Sequence, residues 1–132
     1  VVLFPQSETK KLYKVPHSLI THESIDFSNP DYQKWPALRH TNGFKTTLKH
    51  GEVLYMPEGF WHYMKYITPG FSMSLRALAR NPKNLGKAFY NILIMRHYDV
   101  LMRKLKGQDW IDAKNIRAIT DTNKNVEALD EN

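Results

Sequence analysis

Cysteine is absent from these 132 residues. That excludes a disulfide-stapled scaffold and any thiolate metal site, and it makes an intracellular, cytoplasmic location the default expectation. Long apolar runs are also missing. No stretch reaches the roughly 20 residues a membrane-spanning helix needs, and the apolar start at residues 1–4 is too short for a secretion signal. Acidic residues are few: 13 Asp and Glu against 19 Lys and Arg leave a net charge of +6. A basic balance raises the question of nucleic acid. Yet Lys10, Lys11, Lys45, Lys49, Lys83, Lys87, Arg96, Arg103, Lys104 and Lys106 are read as dispersed rather than clustered, and no helix-turn-helix, zinc-finger or RNP pattern occurs. Neither a membrane nor a nucleic acid is expected as a partner. A chain of this length that is 42% hydrophobic suffices for one modest core.

What the chain does contain is concentrated at residues 51–63, Gly-Glu-Val-Leu-Tyr-Met-Pro-Glu-Gly-Phe-Trp-His-Tyr. Residues 53–56 form a short apolar run between Gly51 and Pro57 and predict a buried strand. Pro57, Glu58 and Gly59 predict a turn. Residues 60–66 predict a second, aromatic-rich strand. Alternation then places His62, Met64 and Tyr66 on one face and Trp61, Tyr63 and Lys65 on the other. A histidine just past a tight turn on a rigid strand is well placed to give a ring nitrogen to a metal. Read without its surroundings, the same residue is an ordinary hydrogen-bonded histidine.

Elsewhere the pattern is coarser. Residues 1–5 predict a strand end. Residues 6–43 are punctuated by Pro16, Asn29-Pro30, Pro36 and Asn42-Gly43, and predict a long functional loop with little regular structure. Residues 44–49 predict a short strand, with His50-Gly51 as a turn. Residues 71–78 predict another, with Phe71, Met73, Leu75 and Ala77 on one face and Ser72, Ser74 and Arg76 on the other. If residues 67–71 connect the strands, Tyr66 pairs with Ser72, Met64 with Ser74 and His62 with Arg76; a connection one residue shorter puts His62 and Arg76 on opposite faces.

After Leu78 the composition turns helical. Asn81 is a cap candidate, Pro82 sits at the first helical position, and apolar residues recur to Met102, with Gly107 as terminator. The helix over residues 82–106 is apolar on more than one face. Leu85, Phe89 and Ile92 are expected to pack on the chain's own sheet. Leu93, Ile94, Val100 and Leu101 flank them. A second helix near residues 110–119 predicts an antiparallel pair, and residues 121–132 a frayed polar tail. His97-Tyr-Asp99 spells a metal-binding His-x-Asp, but residues two apart on a helix point about 200° apart, so it is read as coincidence. His22-Glu23 lacks that spacing.

The 51–63 motif resembles the hallmark of the JmjC and cupin-like Fe(II)- and 2-oxoglutarate-dependent dioxygenases, and is most similar to their asparaginyl-hydroxylase group. Val2-Leu-Phe-Pro5 resembles that family's "LFPP" strand end, Leu12-Tyr13 the start of its "LYP", and Asp26-Phe-Ser-Asn-Pro-Asp31-Tyr with Trp35-Pro36 its "VDFDNPDYERFP" segment. The similarity covers residues 1 to about 78. It implies a mainly β fold, a double-stranded β-helix, incomplete in this chain and followed by helices, divided as 1–79, 80–120 and 121–132. It implies that His62 is the distal ligand of a two-histidine, one-carboxylate Fe(II) site, with 2-oxoglutarate as co-substrate and Tyr66 and Ser74 lining the pocket.

In that family the upstream His-x-Asp/Glu and a basic residue precede the "LFPP" strand. The resemblance therefore implies the C-terminal half of a dioxygenase domain, carrying one of three ligands and inactive alone. Arg76 falls where the resembled enzymes carry an asparagine facing the 2-oxoglutarate pocket, and "VNFW" reads Leu75-Arg-Ala-Leu78 here. An arginine there either binds the dicarboxylate bidentately or forms a salt bridge without a catalytic role. Two functions compete: a hydroxylase acting on a protein or small-molecule substrate, and a non-catalytic cupin-like binding or scaffold module. The resembled hydroxylases dimerise through C-terminal helices, and the broad apolar stripe fits a homodimer; the alternative is a helix buried on its own barrel.

Overall fold

The computed structural model describes residues 1–77 and 81–130. Its centre is a small antiparallel sheet in the order β2-β1-β3, with β1 at Val2–Phe4, β2 at Phe44–Lys45 and β3 at Trp61–Tyr63. Val2 and Leu3 pair with Lys45 and Phe44 on one side. On the other, Val2, Leu3 and Phe4 pair with Tyr63, His62 and Trp61. β1 is buried throughout, as expected of the central strand. Directly paired residues share a face. Val2 and Phe4 enter the core with Trp61 and Tyr63 packed on them, so Leu3, Phe44 and His62 form the opposite row.

The core lies between this sheet face, the 6–43 segment and the last helix. Leu12, Tyr13, Ile25, Phe27, Trp35 and Leu38 fill it, joined by Val126. The 6–43 segment is more ordered than its proline punctuation suggests, with 3-10 helices at Gln6–Lys11 and Pro36–His40. Tyr13 knits it together. Its hydroxyl accepts from the Ala37 amide at 3.1 Å and donates to Asn123 at 3.0 Å, and its ring meets Trp35 edge-on.

The predicted N-terminal helix start holds. The Asn81 side chain accepts from the Lys83 amide, and α1, Pro82–Phe89, runs through a π-helical stretch at Tyr90–Met95 into α2, Arg96–Lys106. Gly107 ends it with φ 58°. α3 spans Gln108–Asp130, so the expected short second helix and, up to residue 130, the frayed tail are replaced by one long helix; residues 131–132 of that tail lie outside the described residues. The physical reason is burial. Ala118, Thr122 and Val126 are buried, one every turn, against the 3-10 helices, and Asn125 donates to the Lys10 carbonyl.

Further expectations are corrected. Residues 53–56 and 71–77 are not strands; Leu78, the end of the second, lies outside the described residues. Val53, Tyr55, Phe71, Met73 and Leu75 are strongly exposed, and no neighbouring strand among the described residues offers them hydrogen bonds. The strand expected over 44–49 shortens to Phe44–Lys45, and that over 60–66 to Trp61–Tyr63. The expected double-stranded β-helix is accordingly represented by a three-stranded sheet and C-terminal helices. Leu85, Phe89 and Ile92 do not pack on the sheet but are exposed. No helix among the described residues is long and apolar enough to cross a membrane.

Candidate metal centre

His62 stands in the middle of β3, and both of its neighbours are latched. The turn before it forms as predicted: Gly59 has φ 81°, and the Phe60 amide bonds the Pro57 carbonyl. Trp61 donates its indole N–H to the Thr9 hydroxyl at 2.8 Å. Tyr63 donates its hydroxyl to Asp26 at 3.2 Å, and Lys65 adds an ammonium to the same carboxylate at 2.6 Å. Trp61, Tyr63 and Lys65 therefore share a face, as alternation predicts. His62 is left exposed on the opposite side.

Asp26 is the electrostatic hub of this arrangement. The Lys65 ammonium first, then the Ser28 hydroxyl and amide, hold its carboxyl well below the usual carboxylate range. Lys65 is raised in return by Asp26. Burial, followed by the Asp26 charge, pushes the Tyr63 phenol up. In the sequence the Asp26 segment stands out only by its resemblance, and nothing there marks its bonds to β3. Asp and Lys at positions 26 and 65 carry no local signal of their pairing.

His62 also lines an open cavity of about 530 Å³ with Phe4, Lys14, Thr21, Trp61 and Asn91 among its walls. Tyr66, Ser74 and Arg76 are not brought to it. All three are exposed, and the Tyr66 hydroxyl meets Ser72 at 2.9 Å. Among the described residues, no group of three or more His, Cys, Asp or Glu side chains is placed to hold a metal ion. One imidazole does not by itself fit an iron site that takes two histidines and a carboxylate. The His97-Tyr-Asp99 sequence is settled by packing. Asp99 is buried, bonded to Arg103, Trp110 and Lys114, while His97 is exposed.

The motif, the turn and the strand around His62 agree with a family model, that of the cupin-like domain, which matches residues 1–102. The chain belongs to this family. The matched stretch of the cupin-like chain crosses the expected 79/80 boundary into α2. Some of its relatives are named for a JmjC domain. It is 31% identical over 75 residues to JmjC domain-containing protein D of Dictyostelium discoideum, covering 55% of this chain and 17% of that protein. It is 32% identical over 73 residues to lysine-specific demethylase 8 of Xenopus tropicalis, 54% and 16% of the two chains. It is 38% identical over 72 residues to human HSPB1-associated protein 1, 51% and 14%. The cupin-like chain thus spans about a sixth of the length of these relatives. No solved structure matches it.

Proposed function

We propose that this cupin-like chain contributes to an Fe(II)- and 2-oxoglutarate-dependent oxygenase, with His62 as one iron ligand and the remaining two supplied from outside these residues. The observation that carries the reading is the placement of His62. It sits on the face opposite the core, in one row with Leu3 and Phe44, at the centre of a paired strand, with Trp61 and Tyr63 fixed on either side. Such fixing is what a ligand needs to keep its orientation. Membership of the family and JmjC-named relatives support it. Iron and 2-oxoglutarate would supply oxygen activation when bound; this chain's residues orient the imidazole. Arg76 is kept as a co-substrate contact, and Tyr66 and Ser74 as pocket walls, only if residues 71–77 pair as a strand beside β3. One relative is named a lysine demethylase, which makes a protein side chain a substrate class to test alongside the asparaginyl group suggested by the motif.

A non-catalytic cupin-like module is the second reading. It is favoured by the lone histidine and by Arg76 where an asparagine is expected. The two separate in one experiment. Fe(II) binding and succinate formation from 2-oxoglutarate are measured in protein carrying the other two ligands, wild type against His62→Ala. Loss of both in the variant is expected. Undiminished turnover removes His62 from the site, and an inert wild type leaves the scaffold reading.

A further inference from the structure

The cavity beside His62 carries a cation that nothing above uses. Lys14 is half-buried on its wall. No acidic residue lines the cavity, and no ion pair or hydrogen bond engages the Lys14 ammonium among the described residues. A half-buried ammonium with no partner is a cost to the fold, and burial lowers its affinity for the proton. Such a group is tolerated where a ligand completes it.

The backbone around Lys14 is built to present it. Lys14 and Thr21 form an antiparallel bridge, closed by bonds from the Val15 amide to the Ile20 carbonyl and from the His22 amide to the Tyr13 carbonyl. Bridge partners share a face, and both line the cavity. On either side of Lys14 the chain is strained: Tyr13 has φ 52° and His17 φ 58°. Neither is glycine, and such strained residues are concentrated at functional sites. Asn91 also lines the cavity, set on the π-helical stretch Tyr90–Met95, another irregularity enriched at functional sites.

We propose that Lys14, with Thr21 beside it, anchors a ligand that carries a carboxylate on an apolar body. The carboxylate matches one ammonium and one hydroxyl. A phosphate dianion would leave a charge uncompensated against walls formed by Phe4, Phe27 and Trp61. Those rings, with Leu19 and Ile20 at the exposed rim, suit the apolar body, and about 530 Å³ lies within the range of small-ligand sites. The carboxylate is that of a free aryl or alkyl acid, or that of an acidic side chain in a peptide.

The assignment is independent of iron, so it is tested on the 132-residue chain with no metal added. The amide signals of Lys14 and Thr21 are followed by NMR during titration with 3-phenylpropionate and with its uncharged amide. A second arm uses an acetylated Phe-Glu dipeptide amide against the Phe-Gln counterpart. Saturable shifts with the acid and affinity lower by about ten-fold or more for the uncharged partner are expected. Lys14→Met should remove the preference and Lys14→Arg retain it. A Lys14-dependent response to the free acid or to the peptide supports the site and tells the two sources apart. Equal binding of acid and amide by the wild type, or no shift with any of the four probes, overturns it whether or not Lys14→Met folds. Either result leaves the His62 reading where it stood.

Discussion

Asp26 accepts from Ser28 through both amide and hydroxyl, from Tyr63 and from Lys65, and so ties the loop that begins the Asp-Phe-Ser-Asn-Pro segment to the strand bearing His62. Its carboxyl is held below the usual range, chiefly by Lys65. A depressed acid contributes stability that is fully present above its unfolded value, about 3.9, and lost as pH falls through the folded one. Asp26→Asn is therefore expected to melt below the wild type at pH 7, with the gap narrowing as pH drops below about 4. Amide hydrogen exchange at Trp61–Tyr63 should quicken in the variant. Unchanged exchange there would show that the paired strand needs no latch.

Between elements, the joint of α2 and α3 rests on Asp99. The carboxylate bonds Arg103 on its own helix and Trp110 and Lys114 on the next, and Lys114 is itself buried. Asp99→Ala leaves that ammonium buried without its partner, a change that costs about 3–5 kcal/mol. Thermal melting of the variant should show a large drop. Double replacement of Asp99 and Lys114 by apolar residues of similar volume should recover much of it. At the other end of the helical run, Asn81→Ala removes the cap on Lys83, at about 1 kcal/mol, readable as a small fall in helical melting. His97-Tyr-Asp99 shows why a motif needs its element. The spacing suits chelation on a strand, whereas the helix turns Asp99 inward as a structural tie.

At the scale of the molecule, two stretches among the described residues leave much apolar surface uncovered. One is the irregular 53–56 and 71–77 region. The other runs along α1, the π-helical stretch and α2, where Phe89, Ile92, Leu93, Ile94, Val100 and Leu101 are about half exposed or more. A homodimer through these helices is the proposal that covers the second. A two-fold contact lets one patch meet itself, and Leu101→Arg would bury a charge there at about 2–5 kcal/mol. Sedimentation at micromolar concentration should find the wild type self-associated and the variant monomeric; a monomeric wild type ends the proposal. The chain alone is expected to yield no succinate from 2-oxoglutarate, since it brings one imidazole to a site that takes three ligands.

What the sequence determined by itself was local. Asn81, Pro82 and Gly107 set the helix limits because capping, a fixed φ and a positive φ act within a few residues. Pro57 and Gly59 made the turn, and alternation sorted His62 from Trp61 and Tyr63, since both depend only on neighbours along the chain. Membership of the cupin-like family was legible in motif order for the same reason. Tertiary structure decided the rest. The strands expected at 53–56 and 71–77 require hydrogen-bond partners from elsewhere, and pattern alone cannot provide them. The supposed tail became helix because Thr122 and Val126 found the core. Asp26 reached across 39 positions to Lys65, and Lys14 came to share a wall with His62, because contacts between distant residues are settled by packing and leave no periodicity to read.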